Sequence, residues 1–145
     1  MRPVTRLLLG LSVAALMSCG DDAPKVDNGV WGGLGIQLDV TSASGRVTLC
    51  CKATGSIDEA LTPNAAGDFL ARGSVYNTYP ADYQGTVAGE SMRLVITAYT
   101  PTDPQGFALL APDGNRYFDL TYGTPFVEKE NGVGCVCPPC VGCPP

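Results

Sequence analysis

The chain has no histidine among its 145 residues. Without imidazole it cannot build a Ser-His-Asp or Cys-His nucleophile, nor a zinc or copper site ligated through histidine, so most common hydrolase mechanisms are excluded. Basic residues are scarce as well: nine Lys and Arg stand against 14 Asp and Glu, and they are scattered singly. That leaves no electrostatic footprint for nucleic acid and no polybasic patch for anionic lipid. From Trp31 to Tyr122 no window long enough for a helix carries an apolar stripe of 3.6-residue period. The apolar run Leu7 to Leu16 holds about ten residues, half of the roughly 20 that a bilayer-spanning helix needs.

What is present has period two. Leu34, Ile36, Leu38 and Val40 alternate with Gly35, Gln37, Asp39 and Thr41, as in a strand with one face buried and one wet. Val47, Leu49 and Cys51 then face one way along a second strand, and Thr48, Cys50 and Lys52 the other, so the two adjacent cysteines are expected to point to opposite sides. Further strands read from Ser56 to Leu61, Asp68 to Tyr76, Tyr83 to Ala88, Met92 to Thr100, Gly106 to Leu110 and Tyr117 to Tyr122. Turn chemistry separates them at Ser42 to Gly45, Pro63-Asn64 with Gly67, Gly89-Glu90, Pro101 to Gly106 and Asp113-Gly114. The fold class is therefore all-β. About eight short-linked strands predict one antiparallel meander, closed into an up-and-down barrel that removes exposed edges, with a β-sandwich as the alternative. Such a barrel is just wide enough to fill itself with side chains or to hold one small ligand. Gly73, Gly85 and Gly89 are expected to leave some room inside.

At the N-terminus, Arg2 and Arg6 precede the apolar run, and Leu16-Met17-Ser18-Cys19 closes it with a small residue before the cysteine. This has the form of a secretory signal. The same four residues resemble the lipobox of bacterial lipoproteins. That resemblance implies cleavage before Cys19, attachment of a diacylglyceryl group to its sulfur, and acylation of its amine with chains of the palmitate kind. It also implies export and anchoring by lipid, in the outer membrane because Gly20 rather than Asp follows the cysteine, with the domain facing periplasm or cell surface. Two or three chains hold a domain far better than one, at about 0.8 kcal/mol per buried CH₂. The organisation expected is a signal peptide over 1–18, an acylated cysteine and Pro-bearing tether over 19–28, a β-barrel domain over 29–126, and a Pro- and Cys-rich tail over 127–145.

With Cys19 carrying lipid, six of the seven cysteines remain, an even number for a compartment where disulfides persist. Cys135, Cys137, Cys140 and Cys143 crowd the tail. Four thiolates at that spacing suit Zn²⁺; disulfides are the competing reading, because oxidation competes with thiolate ligation and Pro138-Pro139 stiffens the segment. Cys51, ending an inward-facing row, is expected to staple the second strand to a tail cysteine, which leaves Cys50 a disulfide candidate as well; connectivity is not legible from sequence. The Cys137 to Cys140 spacing lacks the strand-helix setting of thioredoxin-like redox motifs.

No catalytic constellation is present. Asp58 and Glu59 are adjacent, so on a strand they face opposite ways and cannot act as a pair. The six tyrosines, Tyr83 and Tyr99 among them, either line a binding cavity or sit outside the barrel and at strand ends. Gly29-Val30-Trp31 resembles the G-x-W opening of lipocalin-like barrels, in which the Trp plugs one end and a basic residue of the last strand stacks on it; Arg116 is then the matching base. More broadly, Trp31-Gly32-Gly33, Ile36-x-Leu38-x-Val40-Thr41, Gly55-Ser56-Ile57-Asp58, Gly67-x-Phe69, Tyr83-x-Gly85 and Met92-x-Leu94 resemble small secreted β-domain lipoproteins of bacteria without assigned activity. The expectation is a non-catalytic envelope module, without cofactor. It binds a small apolar ligand, with Trp31, Tyr83, Tyr99 and Arg116 as candidate contacts, or a protein partner. The alternatives are a structural protein acting through its disulfide-rich tail, or a metal-binding one.

Overall fold

Apolar-polar alternation is realised as nine antiparallel strands in a computed structural model that describes residues 23–137. They are β1 (Gly29–Gly33), β2 (Ile36–Val40), β3 (Gly45–Leu49), β4 (Thr54–Ile57), β5 (Asp68–Val75), β6 (Tyr79–Ala88), β7 (Ser91–Thr100), β8 (Asp103–Ala108) and β9 (Phe118–Tyr122), with a hairpin of β10 (Lys129–Glu130) and β11 (Val133–Gly134) beyond them. From β1 to β7 each strand pairs with the next, and β9 bridges β7 back to β1. This closes an eight-stranded antiparallel barrel, the architecture expected, and not a sandwich. The extra strand β8 pairs only with β7.

The strand count is reached by a different route from the one the sequence suggests. The alternation around Trp31 to Val40 is two strands, β1 and β2, reversed at Leu34-Gly35, where Gly35 takes φ +75°. Conversely, the apolar stretch near Phe107 forms β8, outside the barrel. Pro104 and a Gly106 at φ +84° blunt its free edge, as edge strands require.

Strand direction gives the barrel two distinct ends. The chain enters at the near end, where β1 starts, and the turns Thr41 to Ser44, Asp58 to Gly67 and Gly89-Glu90 lie there too. At the far end lie Leu34-Gly35, Cys50 to Ala53, Tyr76 to Thr78 and Pro101-Thr102. With about 3.3 Å per residue and a tilt near 40°, the ends stand roughly 25 Å apart along β6 and β7, of ten residues each, and roughly 13 Å apart along β1 to β3, of five residues each.

Side chains fill the interior. Trp31, Ile36, Leu38, Val47, Tyr83 and Ile96 have no exposed surface, and no polar or charged side chain is buried among the described residues apart from the Tyr83 hydroxyl, which donates to the Ser74 carbonyl at 2.7 Å. Burying each large apolar side chain contributes about 1.5–3 kcal/mol. The expected room at the glycines is absent. A Cβ on Gly85 would strike the Phe69 ring, and one on Gly73 the Ser56 carbonyl; Gly89 sits in a turn at φ +58°.

After β9 the chain climbs back across the barrel wall as a strap. Phe126 N donates to the Gln37 side-chain oxygen at 3.0 Å, Val127 N to the Gly33 carbonyl at 3.1 Å, and Gly35 N to the Val127 carbonyl at 2.8 Å. Gly32 is needed beneath it, because a Cβ there would run into the carbonyl oxygens of Thr124 and Pro125. Asn131 and Gly132, both at positive φ, close the β10-β11 hairpin, as a two-residue turn of that kind requires.

Candidate functional site

Two disulfides hold the strap to the far end, Cys50–Cys135 and Cys51–Cys137. On a continuing strand the adjacent cysteines would point to opposite faces, as the alternation suggests; instead β3 stops at Leu49 and Cys50 to Ala53 form a tight turn, closed by Ala53 N donating to the Cys50 carbonyl at 3.3 Å. Cys51 and Lys52 take φ 62° and 60°, a left-handed conformation costing non-glycine residues about 1–3 kcal/mol each. The turn presents both sulfurs to the strap. Cys51 therefore does not end an inward row: it is exposed, and Cys50 half-buried. Each bond closes a loop of about 85 residues, worth about 4–5 kcal/mol for the first to form; the second closes nearly the same loop and adds little. With Cys135 and Cys137 bonded, two of the four tail sulfurs are not free thiolates, and the four-thiolate zinc site is not formed by them. Cys140 and Cys143 lie outside the described residues, as does Cys19.

Apolar surface gathers at this same end. Leu110, at 62% exposed, and Tyr76 lie in far-end loops, while Val133 and Val136, the latter 91% exposed, lie on the strap and the segment that follows it. A small cavity of about 80 Å³ between Gly35, Cys50, Tyr76, Leu109 and Leu110 joins the disulfide turn to these loops. From Tyr76 the surface continues to Tyr79, whose ring meets the Tyr76 ring edge-on at 6.5 Å. Tyr79 opens onto a cleft of about 500 Å³ walled by Pro80, Tyr99, Pro101 and Pro104.

The tyrosine at its centre is fixed from two sides. Tyr99 donates its hydroxyl to Asp82 Oδ2 at 2.7 Å, and a Cβ on Gly106 would lie 2.6 Å from its ring. The hydrogen bond to the carboxylate, followed by burial and the Asp82 charge, raises the phenol pKa above its ordinary value, against a lowering by Arg72. Elsewhere on the wall, Arg93 donates to Asp119 at 3.0 Å and lies 4.1 Å over the Tyr117 ring. The Asp119 hydrogen bond and charge raise the guanidinium pKa.

The four candidate contacts fall in three places. Trp31 and Tyr83 are core residues, so neither is offered to a ligand from outside. Arg116 is exposed, and the ring packed on Trp31 is that of Tyr122, edge-on at 5.2 Å, while Trp31 Nε1 donates to the Asp27 carbonyl at 2.9 Å. Only Tyr99 belongs to a cleft, and that cleft is outside the barrel. Asp58 and Glu59 are exposed and accept hydrogen bonds from Ser56 Oγ and from Arg72 N. Among the described residues, no group of three or more His, Cys, Asp or Glu could hold a metal ion. Tyr79 and Pro80 open β6, Pro101 lies in the turn after β7 and Pro104 on β8, so they gather from separate elements and periodicity could not single them out. Compared with protein-family models, curated proteins and solved structures, the chain matches none of them.

Proposed function

We propose that the protein is a lipid-anchored, non-catalytic binding module of the cell envelope that engages a partner with the end of its barrel remote from the anchor. One observation carries this reading: the chain enters at the near end, while the disulfide-held strap and most of the exposed large apolar side chains stand at the far end. Trp31 Nε1 on the Asp27 carbonyl, and the Tyr122 hydroxyl on the Asn28 carbonyl at 3.0 Å, fix the entering segment there. A chain held in the membrane through Cys19 would thus present the strap away from the bilayer. The packed interior favours a partner at the rim over a small apolar ligand inside. The strap gives the tail the role of a rigid contact, which merges the structural alternative with the binding one.

Two measurements test this. Replacing Cys19 with Ala is expected to abolish incorporation of labelled palmitate and move the protein from the membrane to the soluble fraction; unchanged fractionation would remove the anchor. A photo-crosslinking residue at Leu110 is expected to capture a discrete partner in intact cells, and one at Thr86 near the anchor is not. Capture from Thr86 alone would reverse the assigned orientation.

A further inference from the structure

The cleft at Tyr79 and Tyr99 has a lining chemistry that selects among partners. It carries no carboxylate and no basic side chain, so a charged segment would lose hydration there with nothing to replace it. Its hydroxyls are largely committed: Tyr99 to Asp82, Thr78 to the Tyr76 carbonyl at 3.0 Å, and Thr100 to Thr102 and to Asp103 N. The Tyr79 hydroxyl alone is without a hydrogen-bond partner among the described residues. A sugar, with a hydroxyl on nearly every carbon, would find one uncommitted donor, the Tyr79 hydroxyl, for its many oxygens, and would set most of its polar groups against proline and tyrosine rings. A proline-rich segment brings the opposite inventory: apolar rings, carbonyl acceptors and no N–H at each proline. It is also already extended, so little ordering entropy is lost when it docks on aromatic walls.

We infer that this cleft binds an uncharged, proline-rich extended peptide of an envelope partner, with proline rings stacked against Tyr99 and Tyr79 and one peptide carbonyl accepting from the Tyr79 hydroxyl. The inference rests on the far-end reading of function and names its partner class. Tyr99 is pre-set for this use: the Asp82 hydrogen bond and the bare backbone of Gly106 hold its ring in one place, which lowers the cost of binding.

The test is fluorescence anisotropy of a labelled, end-blocked octaproline peptide titrated with the full-length protein in detergent micelles. Saturable binding is expected, weakened about tenfold or more by Tyr99→Ala, about threefold by Tyr79→Phe, and not at all by Leu70→Ser on the outer face of β5. Tyr79→Phe keeps the ring, so it reads the hydroxyl even where Tyr99→Ala disturbs the fold, which near-ultraviolet circular dichroism will reveal. No saturable binding, or binding indifferent to Tyr79→Phe, would overturn the inference. So would tyrosine-dependent binding of a neutral glucan oligosaccharide in place of octaproline. Binding seen only after removal of residues 138–145 would make the protein's own prolines the occupant and equally overturn the partner assignment. Failure here with Leu110 crosslinks intact leaves the far-end reading standing; loss of those crosslinks removes that reading itself.

Discussion

Every fully buried apolar side chain among the described residues lies at or before Leu120, within the barrel and its loops; the strap from Gly123 to Cys137 contributes none. The barrel is held by packed Trp31, Tyr83 and Phe69 and by continuous strand ladders. The strap is held by two sulfur-sulfur bonds and a few backbone hydrogen bonds. The difference teaches how this protein carries a surface that a core of this size could not hold: apolar residues such as Val136 remain exposed because covalent bonds, rather than burial, keep their segment in place.

The comparison is most exposed to reduction of both disulfides. Urea unfolding with and without a phosphine reductant is expected to show a loss of about 4–5 kcal/mol, whereas replacing only Cys50 and Cys135 with Ala costs under about 1 kcal/mol, because Cys51–Cys137 still closes the loop. Equal losses would mean that each bond braces a separate element. Next in size, Trp31→Ala removes the largest core ring and should cost about 3–4 kcal/mol in the same assay, with limited proteolysis still sparing the strap. Early cleavage of the strap in that variant would show that core and strap are not independent.

Tyr83→Phe is expected to cost about 1–2 kcal/mol by leaving the Ser74 carbonyl unpaired. Burial, and secondarily the charge of Asp58, push the Tyr83 phenol well above its ordinary value. A raised phenol contributes stability that is present below about pH 10 and lost as pH rises toward the folded value. The fall in urea midpoint between about pH 9 and 11 should therefore be shallower in Tyr83→Phe than in the parent. The smallest effect is expected at Arg116: since Tyr122 occupies the place beside Trp31, Arg116→Ala should change stability by no more than about 0.5 kcal/mol. A larger loss would restore the stacked pair that the G-x-W resemblance implies.

Much of the barrel is legible because the pleat forces side chains to alternate, and alternation is a local property. The β1-β2 hairpin escapes that reading, since Gly32 to Gly35 contains no polar turn cluster. Its one signal is the shift of inward parity from odd at Trp31 to even at Ile36. Of the candidate site, the sequence offers Tyr99 as a candidate contact but not the residues around it. Its hydroxyl partner Asp82 lies on another strand, and the cleft walls come from the start of β6, the end of β7, the turns beside them and the edge strand β8.

Composition and alternation alone determine that no imidazole chemistry operates and that the chain forms an antiparallel β-domain whose cysteines are numerous enough to crosslink it. Only the tertiary structure decides which cysteines meet, that the interior is filled, and that the disulfide-bonded end of the strap and the entering segment stand at opposite ends. The physical reason is distance along the chain. Backbone geometry imposes alternation residue by residue, but a sulfur at position 50 meets its partner 85 residues on because barrel closure and the returning strap bring the two together in space.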